Sequence, residues 1–256
     1  MGRGPAEMPF LDHLEELRRR LIWSLAALLV ACILGLVAVT ELNIIGILER
    51  PIRDLLPDQT LKYTSPTTPF LVTLKLGFIA GLVLALPFLG YQAWAFLSPA
   101  LYDHERRFVI PAIAVGTLLF LVGVAMAYFL VLPLGLKVLL GFHTESLEPI
   151  ITIDEYLRFA TGIILAFGVI FELPVVLILL SLLGIVTPEG LSKYRRHAIV
   201  VMAVISAVLT PADPYTMLAM LAPLILLYEG SIWAVRLLRR RRAGGTDVVE
   251  REGSAA

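Results

Sequence analysis

The chain is dominated by long runs of apolar residues that carry no charge. A helix needs about 20 such residues to span roughly 30 Å of hydrocarbon, so each long run is a candidate membrane crossing. The four longest runs are Leu21–Val39, Leu76–Tyr102, Phe108–Leu136 and Phe159–Pro188, the last interrupted only by Glu172. Two runs of 15 residues follow, Ala198–Ala212 and Pro214–Tyr228. The pattern predicts an all-α integral membrane protein with six transmembrane helices, of which helices 5 and 6 are short.

The composition supports a membrane protein and excludes several other classes. Hydrophobic residues make up 58% of the 256 residues and charged residues 16%, against roughly 45–50% and about 25% in ordinary soluble proteins. The mean hydropathy is +0.86. Lys plus Arg (21) equals Asp plus Glu (21), so the chain has no net positive charge with which to bind nucleic acid. The single cysteine, Cys32, cannot form an intramolecular disulfide.

The basic residues are distributed unevenly along the predicted topology. Fifteen of the 21 precede helix 1, follow helix 6, or lie between helices 2 and 3 or helices 4 and 5. They are Arg3, Arg18–Arg20, Arg106, Arg107, Lys193, Arg195, Arg196, Arg236, Arg239–Arg242 and Arg251. Because cytoplasmic loops are enriched in Lys and Arg, both termini are predicted to be cytoplasmic.

This topology divides the chain into three predicted parts. Residues 1–20 form a cytoplasmic amphipathic segment on the membrane surface, residues 21–236 form the transmembrane domain, and residues 237–256 form a basic cytoplasmic tail that is disordered from Ala243. The predicted outer segments are about Thr40–Pro69 and about Pro133–Asp154. We expect the first to be irregular but ordered, with a short helix at Ile44–Leu48.

Residues near the ends of the predicted helices are typical of the membrane interface. Trp23, Trp94 and Trp233 are interpreted as interfacial aromatic residues. Gln92 and Glu229 are interpreted as side chains that extend their polar groups towards the cytoplasmic surface.

The polar residues contain no recognisable catalytic set. The chain lacks a nucleotide-binding glycine loop, a metalloprotease H-E-x-x-H motif and a G-x-S-x-G motif. Its four histidines are not grouped at metal-ligand spacing. We therefore expect no enzymatic activity, no cofactor and no metal site.

Two glutamates lie at predicted cytoplasmic positions. Glu16 belongs to the amphipathic N-terminal segment, and Glu105 precedes Arg106 and Arg107 in the loop between helices 2 and 3. One interpretation is charge pairing at the surface, for example between Glu16 and Arg20 four residues later. The other is a carboxylate surface that binds a cationic ligand through charge-assisted arginine–carboxylate hydrogen bonds.

Glu172 is a different case because it lies thirteen residues into a predicted crossing. A charged residue at the bilayer centre costs at least about 2.5–3.5 kcal/mol on insertion scales. We therefore expect its carboxyl to face protein or a water-filled cavity. Pro174, two residues later, leaves a backbone carbonyl without its helical donor and supports a polar cavity there.

Four motifs occur in order along the chain: His13-Leu-Glu-Glu-Leu-Arg-Arg-Arg-Leu21, Trp94-Ala-Phe-Leu-Ser-Pro-Ala-Leu-Tyr-Asp-His-Glu-Arg-Arg107, Phe167-Gly-Val-Ile-Phe-Glu-Leu-Pro174 and Leu209-Thr-Pro-Ala-Asp213. Together they resemble the TatC family, the multi-span receptor subunit of the twin-arginine protein translocase. The resemblance covers about residues 8–240. It implies a cupped bundle of six transmembrane helices with short helices 5 and 6, which would thin the bilayer locally.

The resemblance also implies a function. TatC proteins recognise the N-terminal signal peptides of folded cargo by two adjacent arginines, and transport across the cytoplasmic membrane of a prokaryote uses the proton-motive force. The implied partners are TatA- and TatB-type single-span membrane proteins, twin-arginine signal peptides, other TatC copies and the lipid bilayer. The family implies no cofactor and no nucleic acid.

The family's functional positions can be transferred residue by residue. Glu16 and Glu105 match the carboxylates that bind the arginine pair, and Arg18, Leu21 and Phe96 match further positions of the signal-peptide site. Glu172 matches an intramembrane acid that meets partner helices. The remaining matches are Thr210 and Asp213, at the end of helix 5 where a TatB-type helix docks, and Pro51, a structural residue of the outer loop.

A proton-coupled small-molecule transporter with Glu172 as the proton carrier is the alternative from another class, and an intramembrane protease is a third. A transporter would need Glu172 but has no use for Glu16 and Glu105 on the cytoplasmic face. Those two residues therefore discriminate between the hypotheses.

Overall fold

The computed structural model describes residues 10–56, 60–97, 109–141, 150–209 and 214–253, and these ranges fold almost entirely into helices. The α-helices, numbered in chain order, are α1 (Phe10–Glu41), α2 (Ile44–Arg53), α3 (Thr68–Leu97), α4 (Val109–Met126), α5 (Leu132–Leu140), α6 (Ile153–Phe171), α7 (Leu173–Leu182), α8 (Pro188–Lys193), α9 (Arg195–Leu209) and α10 (Pro214–Gly253). A π-helical turn, Ala127–Val131, joins α4 to α5. The predicted all-α fold is confirmed.

Within the described ranges, five helical stretches are long and apolar enough to cross a membrane. They are Leu14–Glu41, Thr68–Phe96, Ile110–Leu140, Ile153–Leu182 and Thr216–Leu237. The predicted fifth crossing corresponds to α9, whose 15 residues reach only about 22 Å at 1.5 Å per residue. The last stretch has 22 residues and is longer than the predicted run of 15. It includes Glu229, whose Oε2 is paired with Nη2 of Arg195 at 2.8 Å.

Prolines account for two interruptions within the crossings. Pro133 has no N–H to donate to the carbonyl of Phe129, and the turn before it widens so that the N–H of Leu132 donates to the carbonyl of Ala127, five residues earlier. Pro174 is the second residue of α7, and Glu172 forms the junction between α6 and α7. The fourth crossing therefore changes helix at its only charged interior residue.

Glycines allow α1 and α3 to pack with their backbones in close contact. A Cβ atom at Gly81 would lie 2.5 Å from the Cα atom of Cys32 and 2.8 Å from the carbonyl oxygen of Ala31. A Cβ atom at Gly35 would lie 2.5 Å from the backbone nitrogen of Gly81. Gly77 and Gly81 have the G-x-x-x-G spacing that permits such close approach in membranes. Helices α1 and α3 therefore form a tightly packed pair.

The pair formed by α4 and α6 combines glycines with phenylalanines. A Cβ atom at Gly123 would lie 2.7 Å from the carbonyl oxygen of Phe167, and one at Gly168 would lie 2.5 Å from Cε2 of Phe120. Phe120 and Phe167 are both fully buried. The Phe120 ring thus lies opposite Gly168, and the Phe171 ring lies opposite Gly123. These contacts fix the rotation of α6 and with it the direction of Glu172.

Helix α8 is tied to α10. The hydroxyl of Tyr228 donates to the carbonyl of Leu191 at 2.9 Å, and Nη2 of Arg236 donates to Oγ of Ser192 at 2.6 Å. These contacts bring the segment between the fourth and fifth crossings against the last crossing.

Helices extend far towards both ends of the chain. Residues 10–20, the predicted amphipathic segment, are continuous with the first crossing in one helix. The chain has no Pro or Gly between Phe10 and Cys32, and extending a helix is easier than starting a new one. At the other end, α10 continues to Gly253, past the predicted start of disorder at Ala243. Arg239–Arg242 are good helix formers and continue the last crossing.

Two further predictions are corrected. Trp94 is not interfacial: it is 5% exposed and packs in a small cluster with Leu182 of α7, whereas Trp23 and Trp233 are exposed. The short outer helix predicted at Ile44–Leu48 is longer and includes a proline, as α2 shows.

Candidate functional site

The carboxylate of Glu16 is held by Arg20 one helical turn later. Nε and Nη2 of Arg20 donate to Oε1 of Glu16 at 2.9 and 2.5 Å. The Glu16 side chain is 12% exposed and that of Arg20 is 20% exposed. Oε2 of Glu16 is shielded from solvent and accepts no hydrogen bond from the residues that the structure describes. Arg20 therefore satisfies one carboxylate oxygen and leaves the other without a donor.

Gln92 links this ion pair to α3. Nη1 of Arg20 donates to Oε1 of Gln92 at 3.3 Å, across 72 residues of sequence. The predicted pairing of Glu16 with Arg20 is confirmed, and the polar group of Gln92, predicted to extend towards the cytoplasmic surface, contacts Arg20. The three side chains form a connected set at the adjoining ends of α1 and α3, and we call them the Glu16–Arg20–Gln92 set.

The other residues predicted for the signal-peptide site lie around this set or outside the described ranges. Arg18 is exposed, Leu21 is 66% exposed, and Phe96 is half-buried near the end of α3. Glu105 lies outside the described residues. The structure thus places an arginine, an exposed leucine and a phenylalanine on the two helices that carry the Glu16–Arg20–Gln92 set.

Glu172 occupies the junction of α6 and α7, where its side chain points at a glycine of α4. A Cβ atom at Gly116 would lie 2.8 Å from Oε2 of Glu172, so the glycine provides the space for the carboxyl. Among the described residues, no side chain donates a hydrogen bond to this carboxyl. The carboxyl is half-buried and has no ionic partner in the described part of the chain.

The Glu172 carboxyl opens into a groove between α3, α4 and α7. The groove has a volume of about 340 Å³. Apart from Glu172 and Thr117, its lining is apolar and includes Leu86, Gly90, Ile113 and Val176. An acid in an apolar groove within a crossing suits a ligand that brings its own hydrogen-bonding group, such as another transmembrane helix.

The predicted partner-helix residues at the end of helix 5 lie outside the described ranges. Helix α9 ends at Leu209 and α10 begins at Pro214, so Thr210 and Asp213 are not described.

Pro51 lies in α2, and its effect on the backbone can be followed to a tyrosine of the third crossing. A proline cannot donate to the carbonyl four residues earlier, which here belongs to Ile47. The hydroxyl of Tyr128 donates to that carbonyl at 2.6 Å. The next carbonyl, that of Leu48, accepts a hydrogen bond from the buried hydroxyl of Tyr156. Pro51 thus leaves the carbonyl of Ile47 without a donor inside the helix, and the hydrogen bond from Tyr128 to this carbonyl attaches α2 to the third crossing.

Several of these contacts were not predicted. Gln92, Gly116 and Tyr128 contact residues that are far away in sequence. No local sequence pattern predicts such contacts. The G-x-x-x-G spacing of Gly77 and Gly81 was the one available signal that α3 packs closely against another helix.

Comparisons with known proteins agree with one another. The family model for the Sec-independent protein translocase protein (TatC) matches residues 12–223. The chain is 40% identical over 237 residues to the Sec-independent protein translocase protein TatC of Aquifex aeolicus, covering 92% of this chain and 98% of that protein. It is 38% identical over 229 residues to the protein of the same name from Escherichia coli K12, covering 89% and 88%.

Solved structures give the same result. A crystal structure of the twin-arginine translocase receptor TatC matches with a TM-score of 0.75 and 40% identity, over 88% of this chain and 98% of that one. A second crystal structure of that receptor, in the detergent DDM, matches with a TM-score of 0.77 and 40% identity, over 87% of this chain and 98% of that one.

Proposed function

Because the chain belongs to the TatC family of Sec-independent protein translocase proteins, we propose that its two cytoplasmic carboxylates bind the arginine pair of a signal peptide. The protein is a multi-pass membrane protein and a core subunit of the twin-arginine translocase, which associates with other Tat subunits. The proposal concerns which of its residues carry out recognition and which contact its partners.

In the proposed receptor site, Glu16 and Glu105 each bind one guanidinium. The observation that carries this proposal is the Oε2 atom of Glu16, which is shielded from solvent and has no donor among the described residues. A guanidinium supplies N–H donors in a planar array that fits a carboxylate. The exposed Leu21 and the half-buried Phe96 offer apolar contacts to the peptide, and Arg18 lies on the same helix.

In the proposed partner site, Glu172 receives TatA- and TatB-type single-span helices. Its carboxyl lies in an apolar groove, and a polar group on an entering helix would give it a hydrogen-bonding partner. Thr210 and Asp213 extend this contact at the end of helix 5. Other TatC copies and the surrounding lipid complete the assembly.

We also propose that the protein has no enzymatic activity of its own and needs no cofactor. It acts in the cytoplasmic membrane of a prokaryote, exports folded cargo at the expense of the proton-motive force, and has both termini in the cytoplasm.

Crosslinking of signal peptides tests the receptor site. A twin-arginine peptide should crosslink to the parent protein much more strongly than its twin-lysine counterpart. Glu105→Ala should weaken binding by roughly 1.5–3 kcal/mol, the scale of a charged hydrogen bond, with no loss of expression. Equal crosslinking of both peptides by the parent protein would rule out recognition of the guanidinium pair.

Thiol labelling tests the topology. In a Cys32→Ala background, Thr60→Cys should react with an impermeant reagent on intact cells, whereas His104→Cys and Tyr194→Cys should react only after lysis. Labelling at position 104 but not at position 60 would overturn the proposed orientation.

A further inference from the structure

The geometry of the Glu16–Arg20–Gln92 set points to a role for Arg20 beyond charge pairing. Both hydrogen bonds that Arg20 donates to Glu16 end on Oε1, and Oε2 receives none from the residues that the structure describes. A symmetric bidentate pair would have used both oxygens. The carboxylate is thus fixed in direction by one oxygen, while the other oxygen is shielded from solvent and left without a donor.

We infer that Arg20 and Gln92 position the Glu16 carboxylate so that it selects arginine over lysine in the signal peptide. This inference rests on the proposed function, in which Glu16 binds one arginine of the pair. Arg20 and Gln92 are positioning residues that act through Glu16.

The shape of the guanidinium explains why the set needs an arginine at position 20. One edge of Arg20, Nε and Nη2, bonds Glu16 on its own helix, while Nη1 bonds Gln92 on α3. The planar guanidinium donates to Glu16 and to Gln92 at the same time and in a fixed geometry. A lysine ammonium is a single point of charge on a flexible chain and cannot reproduce this arrangement.

Charge compensation explains how the set discriminates between ligands. Arg20 neutralises much of the Glu16 charge. This reduces the non-directional electrostatic attraction between Glu16 and any cation. A lysine ligand depends mainly on that attraction. An arginine ligand adds directional N–H donors, and these can satisfy the buried Oε2 atom. The arrangement therefore weakens lysine binding more than arginine binding.

The opposite role would be a competing internal ligand, in which Arg20 occupies the carboxylate until a signal peptide displaces it. The two roles predict opposite results when Arg20 is removed. A positioning residue should lower affinity and selectivity for arginine when lost, whereas a competitor should raise the affinity.

The test measures equilibrium binding of twin-arginine and twin-lysine peptides to the full-length protein in nanodiscs. Variants are Arg20→Gln, Arg20→Lys and Gln92→Leu, with Arg19→Gln as the matched control because it removes the same charge from an exposed neighbour. Relative to Arg19→Gln, we expect the ratio of twin-arginine to twin-lysine affinity to fall about tenfold in Arg20→Gln. In Arg20→Lys it should fall nearly as much, and in Gln92→Leu roughly threefold.

Three results would overturn the inference. The first is a ratio of twin-arginine to twin-lysine affinity that is the same in Arg20→Gln as in Arg19→Gln. The second is a higher twin-arginine affinity in Arg20→Gln than in Arg19→Gln. The third is an affinity ratio in Arg20→Lys equal to that of the parent protein. A Glu16→Gln arm separates the inference from the proposed function. If Glu16→Gln leaves twin-arginine binding unchanged, the proposed receptor role fails; if Glu16→Gln weakens binding while Arg20→Gln does not, only the positioning role fails.

Discussion

The two described carboxylates of the candidate sites are stabilised in opposite ways. Glu16, near the start of α1, is paired with Arg20 and through it connected to Gln92 on a second helix. Glu172, at the junction of α6 and α7, is placed by the backbone and by the space at Gly116, and no side chain in the described part of the chain donates a hydrogen bond to it. One carboxylate is oriented by side chains, and the other by helix packing alone.

This difference matches the ligands proposed for each residue. A carboxylate that must read a guanidinium benefits from a fixed direction, since the discrimination depends on hydrogen-bond geometry. A carboxyl that meets a whole transmembrane helix needs an accessible apolar surface around it, and the helix itself supplies the polar partner. If the two sites are independent, a substitution at one should leave the function of the other unchanged.

The largest effect is expected from Glu16→Lys. This change removes the acceptor and places a second cation beside Arg20, so twin-arginine peptide binding should fall by more than about 3 kcal/mol, or over about 100-fold. The measurement is peptide binding in nanodiscs, with Glu15→Lys as the exposed, charge-matched control. Affinities within about threefold of each other for the two variants would show that Glu16 is not the arginine receptor.

A second prediction separates a contact role from a proton-carrying role at Glu172. Glu172→Gln keeps the size and hydrogen-bonding capacity of the side chain but cannot titrate. If Glu172 is a contact for a partner helix, Gln should support substantial export of a folded twin-arginine reporter, while Glu172→Ala should reduce it by about tenfold or more. Peptide binding should stay within about twofold of the parent in both variants, because that site lies on α1 and α3.

The alternative class makes the opposite prediction for the same variants. A proton carrier must titrate, so Gln and Ala should be equally inactive. That outcome, with peptide and partner binding intact, would replace the contact role with proton coupling.

A smaller effect is expected from Gly116→Ala, which leaves Glu172 in place but fills the space it occupies. The new Cβ atom would lie 2.8 Å from Oε2 of Glu172, so the carboxyl must move. We expect partner recruitment to fall about two- to fivefold, without loss of stability because Ala favours helix over Gly by up to about 1 kcal/mol. Gly162→Ala is the matched control, since its Cβ atom would meet nothing within 4 Å. Equal recruitment by the two variants would argue against a direct role for the Glu172 carboxyl.

The smallest effect on function is expected from Tyr156→Phe, which touches neither carboxylate. It removes the donor to the carbonyl of Leu48 and should lower the free energy of unfolding by about 1–2 kcal/mol. Thermal unfolding in detergent measures this, with Tyr63→Phe as the control at an exposed position. Peptide binding and partner recruitment should both be unchanged. A loss of either would mean that the attachment of α2 is coupled to the signal-peptide site or to the partner site.

The crossings could be predicted from the sequence because charges are scarce and each one within the hydrocarbon is costly. The same reasoning identified Glu172. It misjudged Trp94, since a tryptophan near the end of a run is as compatible with burial against α7 as with the interface.

The candidate site could be predicted only where its contacts are local. The spacing of Glu16 and Arg20 in a helix brings them together, and their hydrogen bonds follow from it. The contact with Gln92 depends on the close approach of α1 and α3 at Gly35 and Gly81. Such packing depends on how the surfaces of both helices fit together. It therefore cannot be predicted from the sequence of either helix alone.

The attachment of α2 has a consequence for the order in which the protein is assembled during synthesis. The carbonyls of Ile47 and Leu48 bond to Tyr128 and Tyr156, which follow them by 81 and 108 residues. At about 5–20 residues per second, the ribosome needs roughly 5–20 s to reach the second tyrosine after α2 has been made. Tyr128 becomes available first, and the attachment of α2 is complete only when the fourth crossing, which carries Tyr156, has been made.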